Sequence, residues 1–189
     1  VFVPEGAPLW VVSTPVSPAV AAGLVAAVDI GPIRTMQDDV EWGLRQIVDI
    51  GLKAISPAVN DPSTGALCID HLSRLLIRAG RRGAPVSVFR SGPSTVVVPA
   101  PRLPELIDLA FDQLRQYGKT DMAIALRVVR AIGDVAEAVT DPAGRARLAV
   151  HLAWVERAVG AAFSQEDLDE LQHRVARVRR ILANDGGVG

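Results

Sequence analysis

Eight polar residues between positions 34 and 64 are the chain's best material for chemistry: Arg34, Asp39, Glu41, Arg45, Asp49, Asn60, Asp61 and Thr64. Carboxylates beside a guanidinium can clamp an anion, move a proton or brace a core. What the groups face decides among these uses. At roughly 100° per residue, Asp38, Glu41, Arg45, Asp49 and Lys53 fall within about a third of a helix circumference. Opposite charges recur there at the i, i+4 spacings 41/45, 45/49 and 49/53. Facing water, the stripe is a row of ion pairs worth about 0.3–0.5 kcal/mol each. Facing other elements, Arg45 and Asp49 would join a partly buried network, either structural or ligand-binding.

The run Asn60-Asp61-Pro62-Ser63-Thr64 is the second constellation. It meets the needs of a helix start, with Asp61 as N-cap and Pro62 at the first helical position. A helix start also offers free N–H groups to an anion, and the oxygens of Asn60 and Asp61 would suit a cation. Neither option has a complete motif.

His71, His151 and His173 stand apart from one another in sequence, and Cys68 is the sole cysteine. No zinc pattern results, and no metal or cofactor is expected. Phosphate-binding glycine loops and the nucleophile elbow are missing as well. A single cysteine excludes an internal disulfide and suits a reducing compartment. Twenty basic and 21 acidic residues leave a net charge of −1, which gives no pull toward nucleic acid.

The positioning elements follow from periodicity and punctuation. Two short strands are expected within residues 1–13, turning at Pro4-Glu5-Gly6, followed by an Ala/Val helix capped by Ser17. Residues 37–55 read as a helix ended by Ser56-Pro57, and 62–80 as a second long helix. A β-hairpin is expected near 85–99, through Ser91-Gly92-Pro93, and it could share a sheet with the N-terminal strands. Four helices should then fill 103–117, 121–139, 142–163 and 165–182. Leu168, Leu171, Val175, Val178 and Leu182 form a heptad-like seam on the last of them. The expected fold is mainly α with a small β part, ending in an antiparallel bundle. Residues 1–99 carry the polar motif and 100–185 the bundle, expected within one compact domain. Aromatics are only 4% against 49% hydrophobic residues, so helices should meet through small side chains. The most apolar stretch, 16–28, is about half the ~20 residues a spanning helix needs.

The segment Arg34-Thr35-Met36-Gln37-Asp38-Asp39-Val40-Glu41-Trp42-Gly43-Leu44-Arg45-Gln46, with Val48-Asp49-Ile50 and Ser56-Pro57-Ala58-Val59-Asn60-Asp61-Pro62-Ser63-Thr64, is distinctive. It resembles the signature of the DUF2254 family of bacterial predicted integral membrane proteins, as do Cys68 and Asp70. The stretches Phe2-Val3 to Leu9 and Phe111 to Tyr117 are similar to that family too. Trp42 stands where Phe is usual, and Gly51 and Gly65 stand where Ala is common. The resemblance covers most of 1–140 and thins beyond.

The resemblance implies a parent protein in the bacterial inner membrane, with about four membrane helices N-terminal to this piece. A start at Val1-Phe2-Val3 fits such a preceding segment. It further implies a soluble C-terminal domain on the cytoplasmic side, whose first partner is its own transmembrane region. The family supplies no activity and no catalytic residue. The expected role is therefore regulatory, interaction or ligand-sensing, beside a channel or transporter, and more a binding domain than an enzyme. Self-association to a homo-oligomer, through the 168–182 seam or strand edges, and a small bound ligand fit that role. A hydrolase using Asp49 or Asp61 with Arg45 as anion clamp, or a purely structural domain, is the alternative.

Overall fold

A computed structural model describes residues 4–29, 31, 33–35, 39–92, 94–159 and 163–184. The chain divides into two compact units, Val1–Trp42 and Gly43–Gly189.

In the first unit, helix α1 spans Pro18–Ala26. Ser17 caps it, its Oγ accepting the Val20 N–H, and Pro18 takes the first turn. The Trp10 indole N–H donates to the Leu24 carbonyl at 2.7 Å, which ties the preceding arm to the helix. The expected N-terminal strands are not seen among the described residues. Phe2 and Val3 lie outside the described residues, and residues 9–12 form no ladder. Pro8 and Pro15 bracket that segment, and the Trp10 side chain holds it instead of backbone pairing.

Helix α2 spans Val40–Ala54, shorter at its start than the sequence pattern suggests; positions 37 and 38 lie outside the described residues. Helix α3 follows at Pro62–Arg82, then strands β1 (Val88–Ser91) and β2 (Ser94–Val97). Helix α4 covers Leu103–Tyr117, a 3-10 turn covers Gly118–Thr120, and α5 runs from Met122 to Ala138. Helices α6 (Pro142–Ala158) and α7 (Gln165–Ala183) complete the chain. The protein is thus mainly α with a small β part. Asp61, Asp121, Asp141 and Ser164 cap α3, α5, α6 and α7, each accepting an N–H from the first turn. A cap of this kind is worth about 1 kcal/mol.

Helix α5 is the centre of the second unit. It packs on α3, α4, α6 and α7, while α3 also meets α4, and α6 meets both α4 and α7. Its Ile124, Val128, Val129, Ile132 and Val135 are fully buried, against Leu72, Leu76, Phe111, Leu114, Leu148 and Leu152 from its neighbours. Glycines bring these helices close: Gly65 lies on Ile55 and Ile124, and Gly80 on Val139. The small-residue contacts foreseen from the aromatic-poor composition are therefore present. On α7, Leu171, Val175 and Val178 are buried, with Leu168 and Leu182 packed beside them, so the heptad-like seam faces its own core.

The hairpin is antiparallel, pairing Val88 with Val97 and Phe89 with Val96. Among the described residues its sheet has two strands. No helix in the described residues is long and apolar enough to cross a membrane.

Candidate functional site

The polar residues singled out from the sequence are distributed over several small arrangements. Within the first unit, Arg34 forks onto Asp39, Nε to Oδ2 and Nη2 to Oδ1. Asp39 also accepts the Trp42 N–H at 2.9 Å, so it caps α2. The Arg34 guanidinium sits 5.4 Å from the Trp42 ring centroid. The Arg34 hydrogen bonds hold the Asp39 carboxyl below its usual range, against a smaller effect of burial. Glu41, half-buried, stands in the first turn of α2.

Within the second unit, Arg45 donates to Gln113 Oε1 at 2.8 Å, which links α2 to α4. Asp49 and Lys53 are exposed. Neither the 45/49 nor the 49/53 pair closes to ion-pair distance among the described residues. The stripe therefore splits, with Arg45 turned to a neighbour and Asp49 and Lys53 to water. Asp61 caps α3 through the Thr64 N–H at 3.1 Å, and its hydrogen bonds with Thr64 lower the acid's pKa.

Asn60 is exposed with φ 50°, and its N–H donates to Ser56 O at 2.8 Å. Asn enters the left-handed region more readily than other residues with a Cβ. Asn60→Gly should therefore leave stability within about 0.5 kcal/mol, while Asn60→Val should cost about 1–2 kcal/mol in urea unfolding.

A denser cluster lies between α4 and α6, on residues the sequence reading left unassigned. Asp108, Asp112 and Arg115 come from α4; Arg147, His151 and Trp154 come from α6. Asp108 Oδ1 accepts from His151 Nε2 at 2.8 Å and also from Arg147 Nε. Asp112 accepts from Arg115 Nη2 at 3.0 Å. Both guanidiniums lie over Trp154, Arg115 at 4.2 Å and Arg147 at 5.0 Å from the ring centroid. His151 meets the Trp154 and Phe111 rings edge-on. Its side chain is 0% exposed, and among the described residues its Nδ1 has no hydrogen-bond partner, nor does the buried Nε of Arg115.

These surroundings shift the titrations. Burial lowers the His151 pKa, outweighing the hydrogen bond it donates to Asp108, which raises it. Burial raises Asp108, but the hydrogen bonds from Arg147 and His151 outweigh it, so the acid sits below its usual value. The Asp108 hydrogen bond raises Arg147. A histidine with a depressed folded pKa binds fewer protons folded than unfolded, so stability rises with pH across that interval. The His151 contribution should be complete above its unfolded value of 6.5 and fall away as pH drops below it. The urea midpoint should thus fall between pH 7.5 and pH 5.5, and His151→Leu should flatten that dependence.

Asp108, Asp112 and His151 place one donor atom each within 4.8 Å of one another, a spacing compatible with a metal. The charge balance opposes one. Each carboxylate already holds a guanidinium, so a dication would have to displace Arg147 and Arg115. A ligating imidazole also normally gives its second N–H to an acceptor, and His151 Nδ1 has none.

A signal for this cluster was present in the sequence. Asp108, Asp112 and Arg115 are spaced i, i+4, i+7, and Arg147, His151 and Trp154 repeat that spacing. Each trio falls on one helix face. Nothing in the sequence says that the two faces meet.

The family described as "Predicted membrane protein (DUF2254)" matches residues 1–134. Helix α4 lies within that match and α6 beyond it. Uncharacterized proteins of Mycobacterium tuberculosis and Mycobacterium bovis are each 34% identical over 162 residues, 84% of this chain and 31% of theirs. The chain therefore spans about a third of the length of these relatives. No solved structure matches it significantly.

Proposed function

Because the chain belongs to the DUF2254 family of predicted membrane proteins, we propose that it is the regulatory, ligand-sensing part of a bacterial inner-membrane protein. In this reading its first partner is the parent's own transmembrane region. The domain faces the cytoplasm, works as a homo-oligomer and sets the activity of an associated channel or transporter. The observation that carries the reading is the α4–α6 cluster, where buried His151 and two guanidiniums gather around Trp154 and the Asp108 carboxylate. Such a cluster has few stable arrangements, and a bound group or a proton that favours one of them would repack α4 against α6.

The hydrolase alternative is less well supported. Asp61 is engaged as a helix cap and Arg45 with Gln113. His151 lies beside a carboxylate as a general base would, yet it exposes no edge to a substrate.

The test is solute flux through proteoliposomes of the full-length protein, wild type against Asp108→Asn. Altered flux with unchanged melting temperature and oligomeric state supports the reading. Equal flux from both proteins removes it.

A further inference from the structure

Between α5 and α7, within the second unit, lies a groove of about 340 Å³. Its floor is apolar, with Val129 and Val178 buried and Gly133 between them. A Cβ at Gly133 would meet Val178 Cγ2 at 3.0 Å, so the two walls touch there and close the floor. Arg145 bonds carbonyls at the ends of both helices, Ala136 and Val139 on α5 and Ile181 and Leu182 on α7, which fixes the walls. Three guanidiniums stand on the rim, Arg130 from α5 with Arg174 and Arg177 from α7. Arg130 Nε lies 3.7 Å from Asp134 and Arg177 Nη2 3.9 Å from Glu137, both beyond good hydrogen-bond distance. Among the described residues, Arg174 gives only its Nε to a partner, Glu170.

We propose that this groove binds a small amphiphilic carboxylate, its head held by the rim guanidiniums and its apolar body lying on Val129, Gly133 and Val178. A groove of this size, apolar at its base with a few convergent polar groups, is the usual form of a small-molecule site. A guanidinium fork takes a carboxylate through two parallel N–H bonds, and Arg130 and Arg177 offer such forks from opposite walls. Their pairs with Asp134 and Glu137 are exposed, and exposed pairs of that kind are weak, so an anion can displace the two acids at small cost. The charge of the lining selects among anions. Three guanidiniums against two carboxylates leave one positive charge in excess. A single negative charge balances it, whereas a phosphate dianion would meet Asp134 and Glu137. The proposal stands on α5 and α7 and not on the α4–α6 cluster, so either reading can fail without the other.

The experiment is calorimetric titration of the chain with octanoate. One octanoate should bind per chain with a Kd below about 1 mM. Octanol keeps the body without the charge, and octylammonium reverses the charge; each should bind at least about tenfold more weakly. Inorganic phosphate should not compete. Arg130→Gln with Arg177→Gln should weaken octanoate about tenfold or more, with the melting temperature unchanged. Asp134→Asn with Glu137→Gln removes the competing acids and should tighten octanoate about threefold or more. The proposal is overturned if octanoate does not saturate the chain, or if octanol binds as well, which would leave only an apolar patch. It is also overturned if neither double variant changes the affinity, or if the groove holds a second copy in a dimer that the arginine variant dissolves.

Discussion

Replacing Arg145 with methionine should lower the unfolding free energy by about 3–4 kcal/mol and the melting temperature by roughly 10 °C. Its Nη1 donates to Ala136 O at 2.6 Å and Val139 O at 3.2 Å, at the end of α5. Its Nη2 donates to Ile181 O at 2.7 Å, Leu182 O at 3.2 Å and Asn184 O at 3.0 Å, at the end of α7. The last carbonyls of a helix have no partner within it, and the negative end of the dipole favours a cation there. One guanidinium therefore closes two helix ends at once. Methionine keeps much of the volume and removes every one of these donors. Lysine restores the charge without the planar fork, so Arg145→Lys should recover less than half of the loss. Urea unfolding checks both, and a loss below about 1 kcal/mol for Arg145→Met would show that water replaces the clamp.

Gly65→Ala should be the other large effect, at about 2 kcal/mol of destabilisation despite alanine's better helix propensity. An added Cβ would overlap Ile55 Cγ2 and meet Ile124 Cδ1 at 3.1 Å. The γ2 methyl of isoleucine is fixed to the branched Cβ and cannot swing away as a flexible chain end would. Leucine has no such methyl, and Ile55→Leu alone should cost less than about 1.5 kcal/mol. The double variant Gly65→Ala/Ile55→Leu should then be more stable than Gly65→Ala alone, with a coupling of about 1 kcal/mol in a double-mutant cycle. Additive losses would place the strain at Ile124 instead.

The helices were legible because their ends are written in local chemistry. Ser17-Pro18, Asp61-Pro62, Asp141-Pro142 and Ser164 through Asp167 each satisfy the first N–H groups within a few residues of sequence. The N-terminal strands were not, because β-type residues such as Val11 and Val12 form a strand only where a partner backbone is available. Arg34, Asp39 and Trp42 were visible as a motif, but their union into a helix cap depends on a turn that no periodicity describes. The pairing of Asp108 with His151 spans 43 residues and comes from α4 packing on α6. Arg145 was unreadable for a related reason. Its acceptors are backbone carbonyls, which any sequence supplies, and only the fold decides which of them converge.

Helix α5, enclosed by four neighbours, sets where the molecule can open. Its nine buried residues meet water together only when α3, α4, α6 and α7 separate from it. Deuterium should therefore enter the α5 amides only through complete unfolding, so their exchange rates read out the global free energy. The β1–β2 amides, on a two-stranded ribbon with an exposed surface, should exchange orders of magnitude faster by local fraying.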